Sequence, residues 1–292
     1  MSAPPVHLSD FPDPFVLAVG GSYVAYGTNA GGTNVQVLTS DDLVTWTPRD
    51  DPLPRVAPWG RPGFTWAPAV LARDAASVLY YTVREPRSGR QAISLATADQ
   101  PTGPFIDDSR GPLVFQRNLG GSIDPSPFVD ADGLAYLLWK ADANALQRPS
   151  SLWAQQLSGD GQRLVGRPHR LLEYAGGWEE PLIEAPAVVR RDDTYYLFYS
   201  ANWWESATYA IGYAVAPSVL GPYRRMTVSG PWFGADDQVA GPGGQEFFVD
   251  SSGGLRMAFH GWDPGRVGYS HGGARSLRLA EVRFVDGVPV AS

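Results

Sequence analysis

Residues 124–140 read DPSPFVDADGLAYLLWK, and this stretch contains the pattern that decides the fold. It begins with a short apolar segment, passes through the turn residues Asp132-Gly133, and ends in a segment rich in aromatic and branched side chains. A glycine-containing turn between two such segments is typical of a β-hairpin. The same pattern starts at four other places along the chain: Asp13, Ala67, Ala185 and Gln245.

The five copies are spaced almost regularly. Successive copies start 54, 57, 61 and 60 residues apart. Each hairpin is followed by a candidate third strand, and these strands begin at Val35, Gln91, Leu152, Tyr209 and Ser276. Repeated units of short strands at this period are typical of propeller blades, whereas a sandwich or barrel does not repeat one unit five times. The sequence therefore predicts an all-β, five-bladed β-propeller, with residues 1–292 forming a single domain.

The composition suits such a fold and excludes several classes of function. Hydrophobic residues make up 43% of the chain, and 33 glycines and 26 prolines supply many turns. The net charge of −7 argues against a nucleic-acid partner. There is no cysteine, which excludes disulfides, a thiolate nucleophile and cysteine-bound zinc. No apolar run reaches the roughly 18 residues that a membrane-spanning helix needs, so we expect no membrane association.

The first residues carry no targeting signal. Met1-Ser2-Ala3-Pro4-Pro5 lacks the basic head and the apolar stretch of a secretory signal peptide. The sequence is thus consistent with a cytoplasmic protein or with a secreted one whose signal peptide has been removed.

Three acidic residues stand at the same end of the repeats. In a propeller the first strand of every blade runs beside the central channel, so residues at its start meet around one opening. An Asp-Pro pair alone is often only a turn, but like charges this close together are costly and typical of functional sites. At this position the five copies carry Asp13, Trp66, Asp124, Glu184 and Gly244-Gln245.

Grouped carboxyl groups suit the hydrolysis of a glycosidic bond. One carboxyl group protonates the leaving oxygen, and a second, ionised one activates water or attacks the anomeric carbon. A third carboxylate can tune the proton donor by its charge. Aromatic rings can stack on the flat faces of sugars, and five tryptophans are expected near the starts of the blades: Trp59, Trp66, Trp178, Trp203 and Trp204.

From Asp10 to Val290 the chain resembles family 43 of the glycoside hydrolases. The resemblance implies a five-bladed propeller that hydrolyses arabinan, arabinoxylan or xylan with inversion at the anomeric carbon. It implies that Asp13 is the general base, that Glu184 is the general acid, and that Asp124 orients the acid and tunes its protonation. The segments that carry it are Phe11-Pro12-Asp13-Pro14, Trp66-Ala67-Pro68, Ser122-Ile123-Asp124-Pro125-Ser126 and Ile183-Glu184-Ala185-Pro186.

The fifth copy departs from the family pattern. Many members carry a histidine that helps to hold a channel cation where this chain has Gly243-Gly244-Gln245. A neutral amide is a weaker ligand for transition metals, so we expect that no metal and no cofactor is required. If an ion occupies the channel, His260 is its candidate ligand. Gln245 and Arg275 are further candidates for contacts with the sugar.

The substrate is predicted from the same segment and from one loop. The Gly243-Gly244-Gln245 version resembles the exo-acting arabinofuranosidase branch of the family. Asn202, Trp203 and Trp204 follow the aromatic strand after Glu184 and are expected to narrow the site on the leaving-group side. The sequence therefore predicts an exo-acting α-L-arabinofuranosidase that degrades hemicellulose, with arabinan or arabino-oligosaccharides as substrate.

Other functions remain open at this point. Within the same family, a β-xylosidase or an endo-α-1,5-L-arabinanase fits the same residues. A retaining fructan enzyme of a related propeller family would need an arginine and a cysteine that this chain lacks at the corresponding positions. A propeller that binds sugar without catalysis is the alternative of a different class. The sequence does not indicate the oligomeric state.

Overall fold

Five small antiparallel β-sheets form a ring in the computed structural model, which describes residues 4–73 and 76–292. Residues 1–3 of the N-terminal motif, and Asp74 and Ala75 in the turn of the second hairpin, lie outside the described residues.

Each blade is built from strands that follow one another along the chain. An initial strand, β1, covers His7–Asp10. The first blade contains β2 (Phe15–Val19), β3 (Ser22–Gly27), β4 (Gln36–Ser40) and β5 (Thr47–Arg49), and the second contains β6 (Arg61–Ala72), β7 (Ser77–Glu85) and β8 (Arg90–Ala98). The third contains β9 (Ser122–Val129), β10 (Ala135–Ala141), β11 (Ser151–Leu157) and β12 (Leu164–Glu173). The fourth contains β13 (Ile183–Arg191), β14 (Thr194–Ala201), β15 (Ala210–Ala216) and β16 (Arg224–Arg225), and the fifth contains β17 (Ala240–Val249), β18 (Leu255–Trp262), β19 (Ser276–Val285) and β20 (Val288–Ala291).

The first strands of the blades form the inner wall of the ring. Strand β2 contacts β6, β6 contacts β9, β9 contacts β13, β13 contacts β17, and β17 returns to β2. Each of these strands pairs with the second strand of its own blade, which pairs with the third. The prediction of a five-bladed β-propeller is confirmed, and so are the five hairpins and third strands read from the repeat.

The blades adhere to one another through apolar contacts on both faces of their sheets. Successive side chains of a strand point to opposite faces. In β14, Tyr195, Leu197 and Tyr199 pack toward the third blade. Tyr196 and Phe198 of the same strand pack toward the fifth blade. This explains why the second strands read as continuous aromatic and aliphatic runs rather than as alternating patterns, because neither face meets water.

The ring closes through a strand that the repeat does not predict. Strand β1 precedes the first blade in the chain but pairs antiparallel with β19 of the fifth blade, with Asp10 opposite Ser276. The last sheet therefore contains both ends of the chain. Because β1 has only four residues, it carries no repeat signal of its own. This pairing also brings Asp10 and Arg275, which lie 265 positions apart, into contact beside the first blade.

In the part of the chain that the structure describes, helical structure is limited to short turns. Four 3-10 helices cover Arg117–Leu119, Ala143–Leu146, Gly177–Glu179 and Tyr269–His271. Within residues 4–73 and 76–292, no helix has the length and apolar character needed to cross a membrane.

Candidate active site

The inner strand of each blade has a left-handed backbone residue at or near its start. The φ angles are 54° at Asp13, 43° at Ala67, 57° at Asp124, 49° at Ala185 and 60° at Gly244. For residues other than glycine such angles cost about 1–3 kcal/mol each, and they are concentrated at functional sites. Four strained positions, with Gly244 at the matching place in the fifth blade, therefore mark this end of the ring as the candidate active site.

This geometry corrects the alignment of the three acids drawn from the sequence. Asp13 and Asp124 occupy equivalent left-handed positions, but in the fourth repeat that position belongs to Ala185. Glu184 lies one residue earlier and pairs across the hairpin with Ser200, as Trp66 pairs with Thr82 in the second blade. Glu184 is therefore the counterpart of Trp66, and its side chain enters the site from a different direction than the two aspartates.

The three acids nevertheless share one cavity of about 390 Å³. It lies at the end of the ring where the first strands begin, and three blades contribute a carboxyl group to it. Six of the eight site residues predicted from the sequence line it, namely Asp13, Trp66, Asp124, Glu184, Trp203 and Arg275.

Asp13 is held as a partly exposed carboxylate. The hydroxyl group of Thr28 donates a hydrogen bond to Oδ2 of Asp13 at 2.6 Å. The same hydroxyl oxygen accepts a hydrogen bond from the backbone N–H of Ala67 at 2.9 Å, which leaves its proton directed at the carboxylate. Nη1 of Arg275 lies 3.8 Å from Oδ1 of Asp13. Thr28 and Arg275 thus lie beside different oxygens of Asp13 and orient its carboxyl group.

Glu184 contacts a hydrogen-bond donor at each oxygen. The hydroxyl group of Tyr209 donates to Oε1 at 2.8 Å, and the ammonium group of Lys140 donates to Oε2 at 2.8 Å. The same ammonium group lies 3.1 Å from Oδ1 of Asp142. These contacts fix the orientation of the carboxyl group toward the cavity.

Asp124 shares the cavity with the other two acids and interacts with both by charge. Its Oδ2 accepts a hydrogen bond from the backbone N–H of Ala185 at 2.9 Å. Burial raises the pKa of Asp124 well above its ordinary value, the negative charges of Glu184 and Asp13 raise it further, and the nearby Lys140 opposes this rise. Carboxyl groups that interact this strongly titrate as a coupled unit. Asp124 therefore holds its proton to a higher pH than an ordinary aspartic acid does.

The two adjacent indoles of the loop after β14 have different environments. Trp204 packs against Trp262 at a ring distance of 6.3 Å and against Tyr269 at 5.9 Å. The guanidinium group of Arg275 lies over the Trp204 ring at 4.6 Å. Trp203 is 45% exposed, although it also lines the cavity. Trp204 thus anchors the wall, and Trp203 offers a free aromatic face at the mouth.

Two of the predicted substrate contacts do not line this cavity. Oδ1 of Asn202 accepts hydrogen bonds from the backbone N–H of Trp203 and from the hydroxyl group of Thr208, so it stabilises its own loop. Gln245 is buried, where its Oε1 accepts from Ser200 and its Nε2 donates to the carbonyl of Ala185. Gln245 therefore connects the fourth and fifth blades beside the central channel.

Comparison with known proteins identifies the family to which this chain belongs. The model of the family described as "Glycosyl hydrolases family 43" matches residues 3–289. The chain belongs to glycosyl hydrolase family 43. It is similar to a solved "thermostable family-43 glycoside hydrolase", with 28% identity, a TM-score of 0.86, and coverage of 98% of this chain and 93% of the other.

Curated relatives of this family 43 glycosyl hydrolase have several specificities. The chain is 25% identical to a β-D-galactofuranosidase of Aspergillus niger, over 84% of this chain and 74% of that protein. It is 24% identical to a putative β-xylosidase of Xylanibacter ruminicola, over 74% of this chain but only 38% of that protein. Other relatives include an exo-arabinofuranosidase and endo-arabinanases. These comparisons establish a glycoside hydrolase without resolving its sugar.

The residues missed by the sequence analysis form a second ring behind the acids of the family 43 site. They occupy equivalent positions on the second strands, each opposite the start of a first strand. Thr28 contacts Asp13, Lys140 contacts Glu184, and Ser200 contacts Gln245. A signal was available, because all five copies place a polar residue here, directly after the aromatic run in four copies and after Gly27 in the first, although only His260 was singled out from the sequence. The positions are Thr28, Thr82, Lys140, Ser200 and His260.

His260 does not fit the role of a channel-ion ligand. Its Nδ1 accepts a hydrogen bond from the backbone N–H of Asp13 at 3.0 Å. Burial, assisted by the charge of Arg275, lowers the pKa of His260 well below its ordinary value, so the ring is neutral. A neutral imidazole with an accepting Nδ1 carries its proton on Nε2, which leaves no lone pair there for a cation. Among residues 4–73 and 76–292, no group of three or more His, Asp or Glu side chains could hold a metal ion.

Family membership supports the expectation that no cofactor is required. We expect that prolonged treatment with EDTA will leave turnover within about twofold of the untreated enzyme, because neither Gln245 nor His260 offers a good ligand atom. The measurement is activity before and after chelation, with added calcium as the second arm. Loss of activity that calcium restores would contradict this expectation.

Proposed function

We propose that this family 43 glycosyl hydrolase removes single α-L-arabinofuranosyl units from the ends of arabinan or arabino-oligosaccharides, by one inverting displacement. The observation that carries the proposal is the meeting of Asp13, Asp124 and Glu184 in one cavity walled by tryptophans. A site with two carboxyl groups in distinct environments is suited to separate base and acid roles.

Asp13 acts as the general base in this proposal. Its carboxylate, which Thr28 and Arg275 hold in place, accepts a proton from the attacking water. The water oxygen bonds to the anomeric carbon as the bond from that carbon to the glycosidic oxygen breaks. The configuration of the sugar inverts because attack and departure occur on opposite faces.

Glu184 acts as the general acid. It gives a proton to the glycosidic oxygen, which leaves with the electron pair of the broken bond. Asp124 supports this role because its pKa is raised and its charge state is coupled to that of Glu184. The two functions are thus divided between Asp13 and Glu184, and Asp124 interacts with both by charge.

The size and wall of the cavity favour a chain end over a chain middle. Its volume of about 390 Å³ is at the lower end of the range of about 300–1,000 Å³ for small-molecule sites. The loop containing Trp203 and Trp204 closes one side, and Trp204 is fixed there by its packing on Trp262. A walled site of this size supports release of one sugar at a time.

A panel of chromogenic substrates tests the proposed sugar. We expect the highest kcat/KM on 4-nitrophenyl α-L-arabinofuranoside, with lower values on the β-D-xylopyranoside and the β-D-galactofuranoside. Preference for the xyloside would indicate a β-xylosidase, and preference for the galactofuranoside would indicate a galactofuranosidase. Absence of turnover on all three and on arabinan would favour a sugar-binding propeller.

The exposed indole supplies a second test. Trp203→Ala should raise KM for arabino-oligosaccharides about tenfold, as expected for the loss of about 1.4 kcal/mol of contact. Turnover of the aryl arabinofuranoside should change less, because this substrate has no further arabinose units that could contact Trp203. Trp203→Phe is the matched control and should retain most of the binding, since it keeps an aromatic face. Equal losses on both substrates in Trp203→Ala would contradict a role of Trp203 in binding the oligosaccharide.

A further inference from the structure

Lys140 is the only lysine in the 292-residue sequence, and the other 22 of the 23 basic residues are arginines. It lies near the end of β10 with its side chain only 1% exposed, and it borders the catalytic cavity. A buried ammonium group in a catalytic cavity is costly unless its charge is compensated. Its placement therefore calls for a chemical reason beyond packing.

The groups facing Lys140 come from two strands and one loop. Its Nζ lies 2.8 Å from Oε2 of Glu184 on β13 and 3.1 Å from Oδ1 of Asp142 in the loop after β10. Asp124 on β9 also interacts with it by charge. Although burial alone lowers the pKa of Lys140, the negative charges of Glu184, Asp142 and Asp124 raise it above the ordinary value. Lys140 thus stays an ammonium group, and Tyr209 occupies the opposite side of the Glu184 carboxyl group.

The two neighbours of Glu184 differ in what they can accept. An ammonium group has three donors and no lone pair, so it bonds more strongly to an unprotonated carboxyl oxygen than to a protonated one, whose proton it cannot accept. A tyrosine hydroxyl group can either donate or accept. Oε2 of Glu184 is therefore a poor place for a proton, whereas a proton on Oε1 can be accommodated when the Tyr209 hydroxyl group rotates.

We propose that Lys140 is a positioning residue that keeps the catalytic proton off Oε2 of Glu184, so that Oε1 donates it to the glycosidic oxygen. The inference rests on the proposed role of Glu184 as general acid. In the step, the proton passes from Oε1 to the leaving oxygen, and Glu184 becomes a carboxylate that accepts from Lys140 and Tyr209. Asp142 holds the ammonium group on its other side. Lys140 itself gives up no proton.

Substitution of Lys140 separates this role from a structural one. In Lys140→Met, we expect kcat on arabino-oligosaccharides to fall about tenfold or more, while kcat on the 4-nitrophenyl arabinofuranoside falls less than about threefold. Loss of the positive charge also favours protonation of the coupled carboxyl groups. The alkaline limb of the kcat/KM profile should therefore move to higher pH by about one unit.

A second variant, which removes a negative charge instead of a positive one, tests the same proposal. Asp142→Asn removes a negative charge from the same cluster, so it should move the alkaline limb to lower pH. Arg190→Met is the matched control, because it breaks an ion pair with Asp130 at the opposite end of β13 and should leave the limb in place. Equal falls on both substrates with an unmoved limb in Lys140→Met would overturn the proposal. Shifts of the same sign in Lys140→Met and Asp142→Asn would overturn it as well.

A spectroscopic measurement does not depend on turnover. Protein made with lysine labelled with ¹⁵N at Nζ should give a single side-chain signal. We expect its chemical shift to titrate with the neighbouring carboxyl groups, and the amplitude or midpoint of this titration should change in Glu184→Gln, where Asp124 and Asp142 remain as the charged neighbours. A shift that does not change with pH, or that is the same in the variant, would contradict the contact. Failure of the substrate panel with a normal titration would count against the proposed function alone.

Discussion

Glu184→Gln is expected to lower kcat on arabino-oligosaccharides by about 10²–10⁴-fold, the usual contribution of a general acid. A sugar hydroxyl is a poor leaving group that needs a proton as it departs, and the amide cannot supply one. A nitrophenolate leaves without protonation, so the loss on the 4-nitrophenyl arabinofuranoside should be much smaller. The measurement is kcat for both substrates with wild type and variant.

Glu180→Gln is the matched control for this prediction. It makes the same chemical change four residues earlier, at an exposed position outside the cavity, and should leave both rates near those of the wild type. If Glu184→Gln slowed both substrates equally, the assignment of the acid would be wrong.

Asp13→Asn is expected to reduce turnover by about 10²–10⁴-fold on every substrate, whatever its leaving group. Attack by water limits hydrolysis in each case, and an amide cannot take the proton of that water. Thr28 and Arg275 remain in place, so KM should change little. The two substitutions should therefore differ in kind, because only the one at Glu184 is sensitive to the leaving group.

A suitable control for Asp13→Asn exists on the opposite side of the molecule. Asp192 also has a left-handed backbone, with φ of 53°, and its side chain is 85% exposed. Asp192→Asn thus makes the same substitution at a residue with the same left-handed backbone but outside the candidate active site. Asparagine tolerates this conformation well. A large loss in the control, or normal activity in Asp13→Asn, would contradict the role of Asp13 as base.

The sequence repeat predicted the fold because every blade packs against its neighbours in the same way. Every blade buries both faces of its sheet against neighbours, so the apolar hairpin recurs with little change, as in β10 and β14. The same logic predicted that Asp13, Asp124 and Glu184 would meet at one end. The closing strand β1 could not be predicted, since its four residues pair with a strand that lies more than 260 positions away.

Two features of the site required three-dimensional information. The displacement of Glu184 by one position relative to the aspartates depends on which residue adopts the left-handed backbone, and Ala185 does so although alanine rarely favours it. Lys140 and Tyr209 were missed because Lys140 lies in β10 and Tyr209 directly precedes β15, and the composition of both strands suggests only core packing. Their contacts with Glu184 cross 44 and 25 positions, respectively, and only the packing of the third and fourth blades determines them.

Proton NMR of the first product tests most directly whether the enzyme releases single arabinose units by one inverting displacement. Wild-type enzyme is mixed with linear arabino-oligosaccharide, and the anomeric signals are followed before mutarotation equilibrates them. We expect free arabinose as the first product. It should appear initially as the β-anomer, because water attacks the α-linked sugar once and from the opposite face. Initial appearance of the α-anomer would contradict single displacement by Asp13-activated water, and early mixed oligomers in place of arabinose would contradict action at the chain end.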